Sequence, residues 1–294
     1  MNDKRKADCP LCGAPDAGEL YRLESLTVLR CRSCMQVFTY PQISQEESRK
    51  LYDKSYYDSW GIECDESVRE MKKCTFALKL NGLEKIISPG RILDVGCATG
   101  FFLEVASERG WDAYGVEINP FAVKEVRKQF ADRVYEGTIE DAPFDPQSLD
   151  AVVMSDVLEH VTDPLATLCR VNELLRNRGL AAITTPNIGG ITARVFGKRW
   201  PHLKPEHQFY FTPQTVSYLL GKAGFHVVSS RPALKALSLN YIYAQRNVSR
   251  VPLLTAFVTA LRNVLPPSLL QKPLYFLAGE MFVIARKKPV ADPR

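Results

Sequence analysis

The chain has 294 residues, enough for one large domain with a small appendage, and its 46% apolar and 24% charged residues are ordinary for a soluble globular protein. A net charge of +5 is too small to indicate a nucleic-acid-binding protein by itself, although it does not exclude one. The first ten residues lack the apolar core of a signal peptide, and the stretch VPLLTAFVTAL is about half as long as the ~20 residues of a membrane span. We therefore expect a soluble, cytoplasmic protein without a transmembrane segment.

Two cysteine pairs stand at the start of the chain. Cys9 and Cys12 lie in CPLCG, Cys31 and Cys34 lie in CRSCM, and eighteen residues separate the pairs. This spacing lets the two thiolates of each pair point the same way, so that two pairs complete a tetrahedral four-thiolate zinc site. Residues 1–42 contain too few apolar side chains to fold alone, and metal binding would supply folding energy. We predict a structural zinc ribbon, with disulfides or a ribbon that has lost its metal as the alternatives.

Residues 43–88 are predicted to form a helical connector. The segment is polar at first and then aromatic, in LYDKSYYDSW. The stretch VREMKKCTFALKLNGLEKII that follows has apolar residues at helical spacing, which predicts an amphipathic helix, and SPG at 88–90 ends it.

From residue 91 onward, strand and helix patterns alternate. The predicted strands are ILDV, DAYGVEI, DAVVMSD, GLAAITTP, FHVVSS and GEMFVIARK. Helices are predicted over 99–109, after Pro120, from Pro164 with Asp163 as its N-cap, and from Pro213 to Gly224 with Thr212 as its N-cap. The alternation predicts an α/β fold with a doubly wound, mostly parallel sheet and helices on both faces. Such sheets bind ligands outside the carboxyl ends of their strands.

The turn after the first of these strands, in RILDVGCATGFF, distinguishes between two nucleotide-type ligands. A dinucleotide needs Gly-x-Gly-x-x-Gly, but Gly96, Ala98 and Phe101 occupy those positions and the third does not fit. The stretch fits Asp-x-Gly-x-Ala-x-Gly, formed by Asp94, Gly96, Ala98 and Gly100, and it resembles the first motif of class I S-adenosylmethionine methyltransferases. Small residues let the backbone approach this ligand, and Asp94 supplies negative charge near its ammonium group.

Two later segments extend this resemblance. Glu117 follows Gly96 by 21 residues, where a carboxylate can accept both ribose hydroxyls. GTIEDAPF resembles the adenine segment of the family, with Thr138 in place of the usual aspartate; Ile139 would pack on the ring and Glu140 would contribute backbone. The resemblance implies a seven-stranded, Rossmann-like sheet over residues 89–294. The cofactor contacts predicted in this way are Asp94, Gly96, Cys97, Ala98, Gly100, Glu117, Ile118, Ile139, Glu140 and Ser155, with Tyr57 of the aromatic segment as a contact from a lid.

The segment SDVLEHVTDP, residues 155–164, follows the strand DAVVMSD and resembles the fourth motif of the small-molecule branch of this superfamily. His160 is the first candidate base, because an imidazole titrates near the working pH, and Asp156 is a further catalytic candidate. Asp156, Glu159 and His160 also resemble the arrangement with which quinone-type O-methyltransferases hold a divalent metal, which predicts Mg²⁺ or Mn²⁺ as a further cofactor. One argument against a metal is that Glu159 and His160 are adjacent, because the side chains of adjacent residues on a helix point apart. The alternative is that Glu159 and His160 only shape the pocket.

Residues 186–211 form a segment that exceeds the usual ~15-residue loop, which suggests an acceptor-site insertion. Its candidate acceptor residues are Trp200, His202, Lys204, Glu206 and His207. The segment resembles the Pro-Glu-His-aromatic run of the family, except that Gln208 stands between the histidine and the first aromatic residue. His207 is the second candidate base, and the alternative is that it anchors the loop. Lys198 and Arg199 would suit an anionic acceptor such as a nucleotide-sugar or a phospholipid-linked glycan.

Residues 231–275 are predicted to be a second insertion. Their apolar stripe, which is Leu253, Leu254, Phe257, Val258, Leu261, Val264 and Leu265, follows helical spacing. Such a stripe is usually core or a dimer contact. The alternatives are a cap over the acceptor and an interfacial helix in peripheral contact with a membrane that holds a lipid-linked substrate.

These patterns together predict a zinc-ribbon class I methyltransferase that acts on a small-molecule, sugar or lipid-linked acceptor, with oxygen as the expected acceptor atom. One alternative is an rRNA base methyltransferase, some of which also begin with a four-cysteine ribbon; the mild charge makes a nucleic-acid substrate the weaker interpretation. Another alternative is a non-catalytic adaptor, which would not bind S-adenosylmethionine. The sequence does not indicate an oligomeric state.

Overall fold

The computed structural model describes residues 7–23, 26–44, 47, 66–244 and 252–289. The strands are β1 (Ala17–Arg22), β2 (Thr27–Cys31), β3 (Val37–Tyr40), β4 (Arg91–Val95), β5 (Asp112–Glu117), β6 (Val134–Glu136), β7 (Leu149–Ser155), β8 (Leu175–Pro186), β9 (Phe209–Tyr210), β10 (Phe225–Leu237) and β11 (Leu274–Lys287). The helices are α1 (Glu66–Glu84), α2 (Phe101–Glu108), α3 (Pro120–Phe130), α4 (Pro164–Leu174), α5 (Ile191–Phe196), α6 (Pro213–Lys222), α7 (Leu239–Ala244), α8 (Pro252–Val264) and α9 (Pro267–Leu270).

Seven of the strands form the main sheet, in the order β10-β11-β8-β7-β4-β5-β6. The five strands from β4 to β8 that belong to this sheet pair in parallel, and β11 pairs antiparallel with both β8 and β10. The predicted α/β fold with a mostly parallel seven-stranded sheet is therefore confirmed. Because β4 pairs with β5 on one side and β7 on the other, the strand order reverses at β4, and the crevice that such a sheet offers to a ligand opens at its carboxyl end.

Local sequence explains why the elements begin where they do. Asn119, Asp163 and Thr212 accept hydrogen bonds from the first turns of α3, α4 and α6, and a proline follows each of them at the first helical position. The apolar residues of β4 are fully or almost fully buried, as a central parallel strand requires. The N-caps that the sequence predicts at Asp163 and Thr212 are thus present.

A second sheet joins the cysteine-rich segment to the candidate acceptor segment. Its strand order is β1-β2-β3-β9, and β9 lies within residues 186–211. An apolar cluster covers this junction, since Val28 and Val37 pack with Trp200, Leu203 and Tyr210. The connector helix α1 also packs on the main sheet, with Leu80 and Leu83 in the same cluster as β4 residues.

The structure differs from the sequence prediction at β6, at β10 and in the apolar stripe of residues 253–265. The strand β6 was not predicted, because three residues are too few to show a periodicity. The strand β10 continues past the predicted FHVVSS to Leu237, across an irregularity at Pro232 that interrupts the alternating pattern. The first residues of the predicted insertion therefore form a hairpin with β11. Within the predicted apolar stripe, Val258 is buried whereas Phe257 and Val264 are exposed.

None of the described helices is long and apolar enough to cross a membrane.

Candidate active site

A cavity of about 1000 Å³ opens at the carboxyl ends of β4, β5 and β7. It extends from the turn after β4 to α1, the acceptor segment and the β10–β11 hairpin. The predicted site residues that line it are Asp94, Gly96, Cys97, Ala98, Glu117, Ile118, Ile139, Glu140, Ser155, Asp156, His160 and His207. Gly100 lies behind the wall, and Tyr57 lies outside the described residues. The volume accommodates a nucleoside-sized ligand together with a small second molecule.

The turn after β4 needs small residues for two different reasons. Gly96 has a φ of +72°, and a Cβ atom there would lie 2.7 Å from Val157 Cγ2. Gly100 has a φ of +91°, and a Cβ atom there would lie 2.6 Å from Val126 Cγ2 on α3. Gly96 therefore keeps the cavity floor open, whereas Gly100 lets α2 start close to α3.

Glu117, at the end of β5, holds this turn in place. Its Oε2 accepts a hydrogen bond of 2.8 Å from the backbone N–H of Ala98, and its Oε1 accepts one of 2.8 Å from the N–H of Asn119. A carboxylate has about four lone-pair sites, so two backbone bonds do not exhaust its capacity to accept hydroxyl groups. The buried Glu117 is therefore fixed in an orientation that suits a ribose.

Asp94, at the end of β4, is buried, and no described residue donates a hydrogen bond to its Oδ1. Burial raises the pKa of this carboxyl to about 8, against the opposing charge of Lys79 and with a further contribution from Glu117. A buried carboxylate oxygen without a donor is a binding site for a cationic or donor group. The ammonium group of S-adenosylmethionine fits this requirement.

The segment after β6 forms the wall across from Glu117. Ile139 is buried, as packing against a ring would require. Thr138 donates to Asp141 Oδ2 at 2.9 Å, and the Glu140 carboxylate accepts from Thr167 at 2.6 Å. Thr138, which replaces the aspartate of the adenine segment, is thus engaged within its own turn.

The acceptor half of the cavity centres on a turn rather than on the helix start that the sequence suggested. Asp156 adopts a φ of +57°, and residues 158–160 form turns, so that the adjacent side chains of Glu159 and His160 converge. The distance from His160 Nε2 to Glu159 Oε1 is 4.0 Å. The expectation that these side chains point apart is therefore wrong, because it assumed helical geometry.

The two candidate histidines meet in this turn. The rings of His160 and His207 pack edge to face, with centroids 4.6 Å apart. His160 Nδ1 lies 3.1 Å from the carbonyl oxygen of Glu206, which can only accept, so Nδ1 carries the proton and Nε2 is the unprotonated nitrogen of the neutral ring. Burial lowers the pKa of His160 to about 4 and lowers the pKa of His207 well below its usual value. Both rings are therefore neutral at neutral pH, and burial makes each a weaker base than an imidazole in water.

Glu159, His160 and His207 also form a group whose ligand atoms all lie within 4.8 Å of one another. Burial raises the pKa of Glu159 well above its usual value, and the charge of Asp156 adds to this effect. Asp156 itself lies outside the group, and its Oδ2 accepts a hydrogen bond of 3.2 Å from Lys235 Nζ. The three residues that could hold a divalent metal are therefore Glu159, His160 and His207, whereas the sequence suggested Asp156 in place of His207.

A second cluster of charges in the cavity was not predicted. Lys235 on β10 forms ion pairs with Asp156 and with Glu280 on β11. Lys79 of α1 is buried beside them, and burial lowers its pKa. Although burial opposes charge at Asp156, Lys235 and Lys79 bring the pKa of this carboxyl below its ordinary value. The only signal in the sequence was a charged residue inside apolar runs, such as Glu280 in GEMFVIARK.

The four N-terminal cysteines are brought together. The Sγ atoms of Cys9 and Cys34 are 3.6 Å apart, as are those of Cys12 and Cys31, and the four lie within 4.8 Å of one another. All four are free cysteines, and the distances exceed the ~2.05 Å of a disulfide bond. A tetrahedral zinc with Zn–S bonds of ~2.3 Å would place its sulfur atoms about 3.8 Å apart, close to the observed spacing.

The sheet order and the cavity at its switch point define a class I S-adenosylmethionine-dependent methyltransferase. Sequence comparison makes the assignment specific: the chain belongs to the methyltransferase-domain family, whose sequence model matches residues 69–230. The interpretation of the chain as a non-catalytic adaptor is therefore wrong.

Curated relatives match part of the chain. A protein of Cereibacter sphaeroides named ubiquinone biosynthesis O-methyltransferase is 28% identical over 178 residues, which cover 52% of this chain and 72% of the relative. A protein of the same name from Xanthomonas campestris pv. campestris is 33% identical over 110 residues, which cover 35% of this chain and 46% of the relative.

Solved structures share the fold. The complex between the Haloferax volcanii Trm112 methyltransferase activator and a methyltransferase aligns with a TM-score of 0.59 at 16% identity, covering 83% of this chain and 99% of the matched one. The 1,6-didemethyltoxoflavin-N1-methyltransferase of Burkholderia thailandensis, solved with S-adenosylhomocysteine, aligns with a TM-score of 0.51 at 16% identity, covering 93% of this chain and 99% of the other. At these identities the likeness concerns the fold alone.

Proposed function

We propose that this protein transfers a methyl group from S-adenosylmethionine to a hydroxyl oxygen of a small-molecule acceptor. The observation that carries the proposal is the continuity of one cavity, in which Asp94 and Glu117 line one half and the His160–His207 pair lines the other. The two relatives named as ubiquinone biosynthesis O-methyltransferases support oxygen as the acceptor atom. An rRNA base, the alternative substrate, has no comparable support.

The cofactor half is proposed to hold S-adenosylmethionine through charge and close backbone approach. Asp94 pairs with the ammonium group, Gly96, Cys97 and Ala98 line the methionine end, and Glu117 with Ile118 receives the ribose. Ile139 packs on the adenine, Glu140 contributes backbone and Ser155, whose hydroxyl has no hydrogen-bond partner among the described residues, faces the methyl group. Gly100 acts through helix packing, and Tyr57 stays a proposed lid contact outside the described residues.

The acceptor half is proposed to remove the hydroxyl proton. When bound, S-adenosylmethionine supplies an activated methyl group, so the protein must align the acceptor and take up one proton. His160 Nε2 is the first candidate for this proton, because the carbonyl oxygen of Glu206 fixes the opposite nitrogen as a donor. His207 is the second candidate. Asp156, bound to Lys235, positions the turn.

The residues that line the acceptor half of the cavity indicate the chemical class of the acceptor. Phe196, Trp200, Phe276 and Leu277 line it beside the charged groups, so the acceptor combines an apolar body with polar substituents. We propose a small aromatic, sugar or lipid-linked molecule. Peripheral contact with a membrane remains part of the proposal for a lipid-linked acceptor, because Leu277 and Tyr275 at the hairpin end are exposed.

A divalent cation is the second candidate occupant of the acceptor turn, favoured by the convergence of Glu159, His160 and His207. The two roles differ in one measurement. Turnover that survives EDTA while the ribbon keeps its metal supports proton transfer alone, whereas turnover that EDTA abolishes and Mg²⁺ or Mn²⁺ restores supports the cation.

The four cysteines are proposed to hold one structural zinc ion, which would stabilise residues 1–42 as a ribbon. The observation behind this proposal is the near-tetrahedral sulfur spacing. Metal analysis of the purified protein should find one zinc per chain, and Cys34→Ser should reduce that ratio. A chain purified under reducing conditions that folds without zinc would contradict the proposal. The division into a ribbon, a connector and a methyltransferase domain stays a proposal as well.

The experiment that tests the proposed function has two parts. Calorimetry should detect S-adenosylmethionine binding to the wild-type protein, and a methyl-labelled cofactor incubated with a metabolite extract should label one compound. His160→Ala and His207→Ala should then be compared with wild type on that compound. Label attached to oxygen and a loss of turnover in either variant support the proposal, whereas label on carbon or nitrogen, or full turnover in both variants, would overturn it.

A further inference from the structure

The strands β1, β2 and β3, together with the turns that carry the four cysteines, are called the cysteine-rich sheet. The segment Glu206–Tyr210, which includes β9, lies between this sheet and the turn that carries His160, and it contacts both. Its role bears on the proposed function, because the candidate bases are the residues that it would position. Gln208 stands at its centre, is fully buried, and interrupts the Pro-Glu-His-aromatic run that this segment resembles.

On the side of the turn, Gln208 makes two hydrogen bonds. Its backbone N–H donates to the carbonyl oxygen of Glu159 at 2.8 Å, and its side-chain Nε2 donates to the carbonyl oxygen of His160 at 3.1 Å. The N–H of Phe209 also donates to the Glu159 carbonyl, at 3.1 Å. With the bond between His160 Nδ1 and the Glu206 carbonyl, the segment holds both the backbone and the ring of His160.

On the side of the cysteine-rich sheet, the same segment accepts hydrogen bonds. The N–H of Thr39 donates to the Gln208 carbonyl oxygen at 2.9 Å, and Gln36 Nε2 donates to the Tyr210 carbonyl oxygen at 3.0 Å. Gln36 and Thr39 are both buried, so water does not compete for these bonds. Gln36 lies two residues after Cys34, and its carbonyl oxygen accepts from the N–H of Cys31.

We propose that the cysteine-rich sheet positions the two candidate catalytic histidines, and that Gln208 is the positioning residue through which it acts. A metal ion in the four-cysteine site would hold the turn from Cys31 to Gln36, and this turn leads directly into β3. The N–H of Thr39 on β3 donates to the carbonyl oxygen of Gln208, so β3 holds Gln208 in place. Gln208 in turn donates to the Glu159–His160 turn and so fixes its position. The fold alone does not require this arrangement, because the parallel strands of the main sheet position the cofactor residues without it.

The first test replaces Gln208 by methionine, which keeps the length of the side chain and removes its donor. The matched control is Arg22→Met, which removes an exposed ion pair with Glu19 on β1, the strand of the same sheet that lies farthest from β9. In Gln208→Met, kcat should fall about 10- to 100-fold because a catalytic group displaced by about 1 Å loses that much. The dissociation constant for S-adenosylmethionine should change less than about two-fold.

A readout independent of turnover comes from histidine NMR, which is simple here because the chain has four histidines. The ring signals of His160 and His207 should shift in Gln208→Met and stay unchanged in Arg22→Met, while the melting temperatures confirm that both variants are folded. Unchanged ring signals in Gln208→Met would overturn the inference. They would leave the proposed function intact, because that depends on turnover of the two histidine variants.

The second test removes the metal from the wild-type protein with a zinc chelator and follows amide hydrogen exchange. Peptides that cover residues 204–211 should lose protection and regain it when zinc alone is added back, whereas peptides that cover residues 91–100 should remain protected. If residues 204–211 keep their protection while the cysteine-rich sheet loses its own, the sheet does not position the acceptor segment and the inference is wrong.

Discussion

Glu117 shows how one side chain can serve both structure and binding. Its two oxygens accept from Ala98 and Asn119, which ties the turn after β4 to the start of α3. The same carboxylate faces the cavity. Binding of a ribose therefore adds hydrogen bonds to a group whose orientation the backbone has already fixed, and this lowers the entropic cost of binding.

Glu117→Gln tests this dual role. An amide group would present N–H to one of the two backbone donors and would remove the charge, so the dissociation constant for S-adenosylmethionine should rise about 10- to 100-fold, the equivalent of one hydrogen bond to a charged group. The matched control is Glu136→Gln, because Glu136 pairs with Glu117 in register on β6 but is half exposed. Calorimetry on both variants measures the difference, and equal affinities would contradict the role.

The buried carboxyl of Asp94 leads to the prediction that binding of S-adenosylmethionine releases a proton. Burial raises its pKa to about 8 in the absence of ligand, so at pH 7 most molecules carry the neutral carboxyl. A cationic ammonium favours the carboxylate and lowers that pKa, and binding must therefore release a proton. The affinity for S-adenosylmethionine should decrease as the pH falls below about 8.

Calorimetry at pH 7 in phosphate and in Tris measures this release, because the two buffers take up protons with different enthalpies. The wild-type protein should give different binding enthalpies in the two buffers, and Asp94→Asn should reduce the difference. Identical wild-type enthalpies would mean that binding releases no net proton, which would contradict the prediction.

At the scale of the element, the residue beneath the turn between β4 and α2 restricts which side chains the turn can carry. Gly96 and Gly110 both adopt positive φ angles, of +72° and +83°, but only Gly96 has a neighbour, Val157, in the way of a Cβ atom. Backbone strain and side-chain contact can therefore be separated by comparing the two positions.

Gly110→Ala should lose about 1 kcal/mol of unfolding free energy, the cost of a left-handed alanine. Gly96→Ala should lose more, because Val157 must also move, and it should bind S-adenosylmethionine at least about ten-fold more weakly. Urea denaturation and calorimetry measure the two effects. If the two variants were equally stable and bound the cofactor equally well, the contact with Val157 would be unimportant.

The elements that the sequence predicted correctly carry strong local signals. The N-caps at Asp163 and Thr212 combine a polar side chain with a following proline, and the strand β4 has buried apolar residues on both sides of Asp94. The cofactor residues could be named because they lie within short motifs next to such elements. The turn at Glu159 and His160 could not be predicted in the same way, because its geometry depends on the left-handed conformation of Asp156.

The residues that sequence reasoning missed act through contacts distant in sequence. Gln208 bonds to His160, 48 positions away, and the Thr39 N–H donates to the Gln208 carbonyl across a separation of 169. Lys235 reaches Asp156 across 79 positions. No periodicity or motif records such pairs, since each partner taken alone is an ordinary polar residue in a strand or loop.

At the scale of the whole molecule, Lys235 joins three parts of the chain. It lies on β10, pairs with Asp156 after β7, and pairs with Glu280 on β11. Glu280 is buried, Asp156 is partly exposed, and all three residues line the cavity. Two of its three members lie on the paired strands β10 and β11, and the third, Asp156, begins the acceptor turn.

Lys235→Met should lower the unfolding free energy at pH 7 by about 3 kcal/mol, because it leaves two carboxylates without their cation, one of them fully buried. The control is Lys128→Met, whose ion pair with Glu125 is exposed and should contribute less than about 0.5 kcal/mol. Lys235 keeps the pKa of Asp156 below its ordinary value, so its contribution is present above about pH 4 and is lost as the pH falls further. Urea denaturation at pH 7 and at pH 3.5 should therefore show a smaller gap between wild type and Lys235→Met in acid, and a gap that stays constant would mean that the charges do not account for the loss.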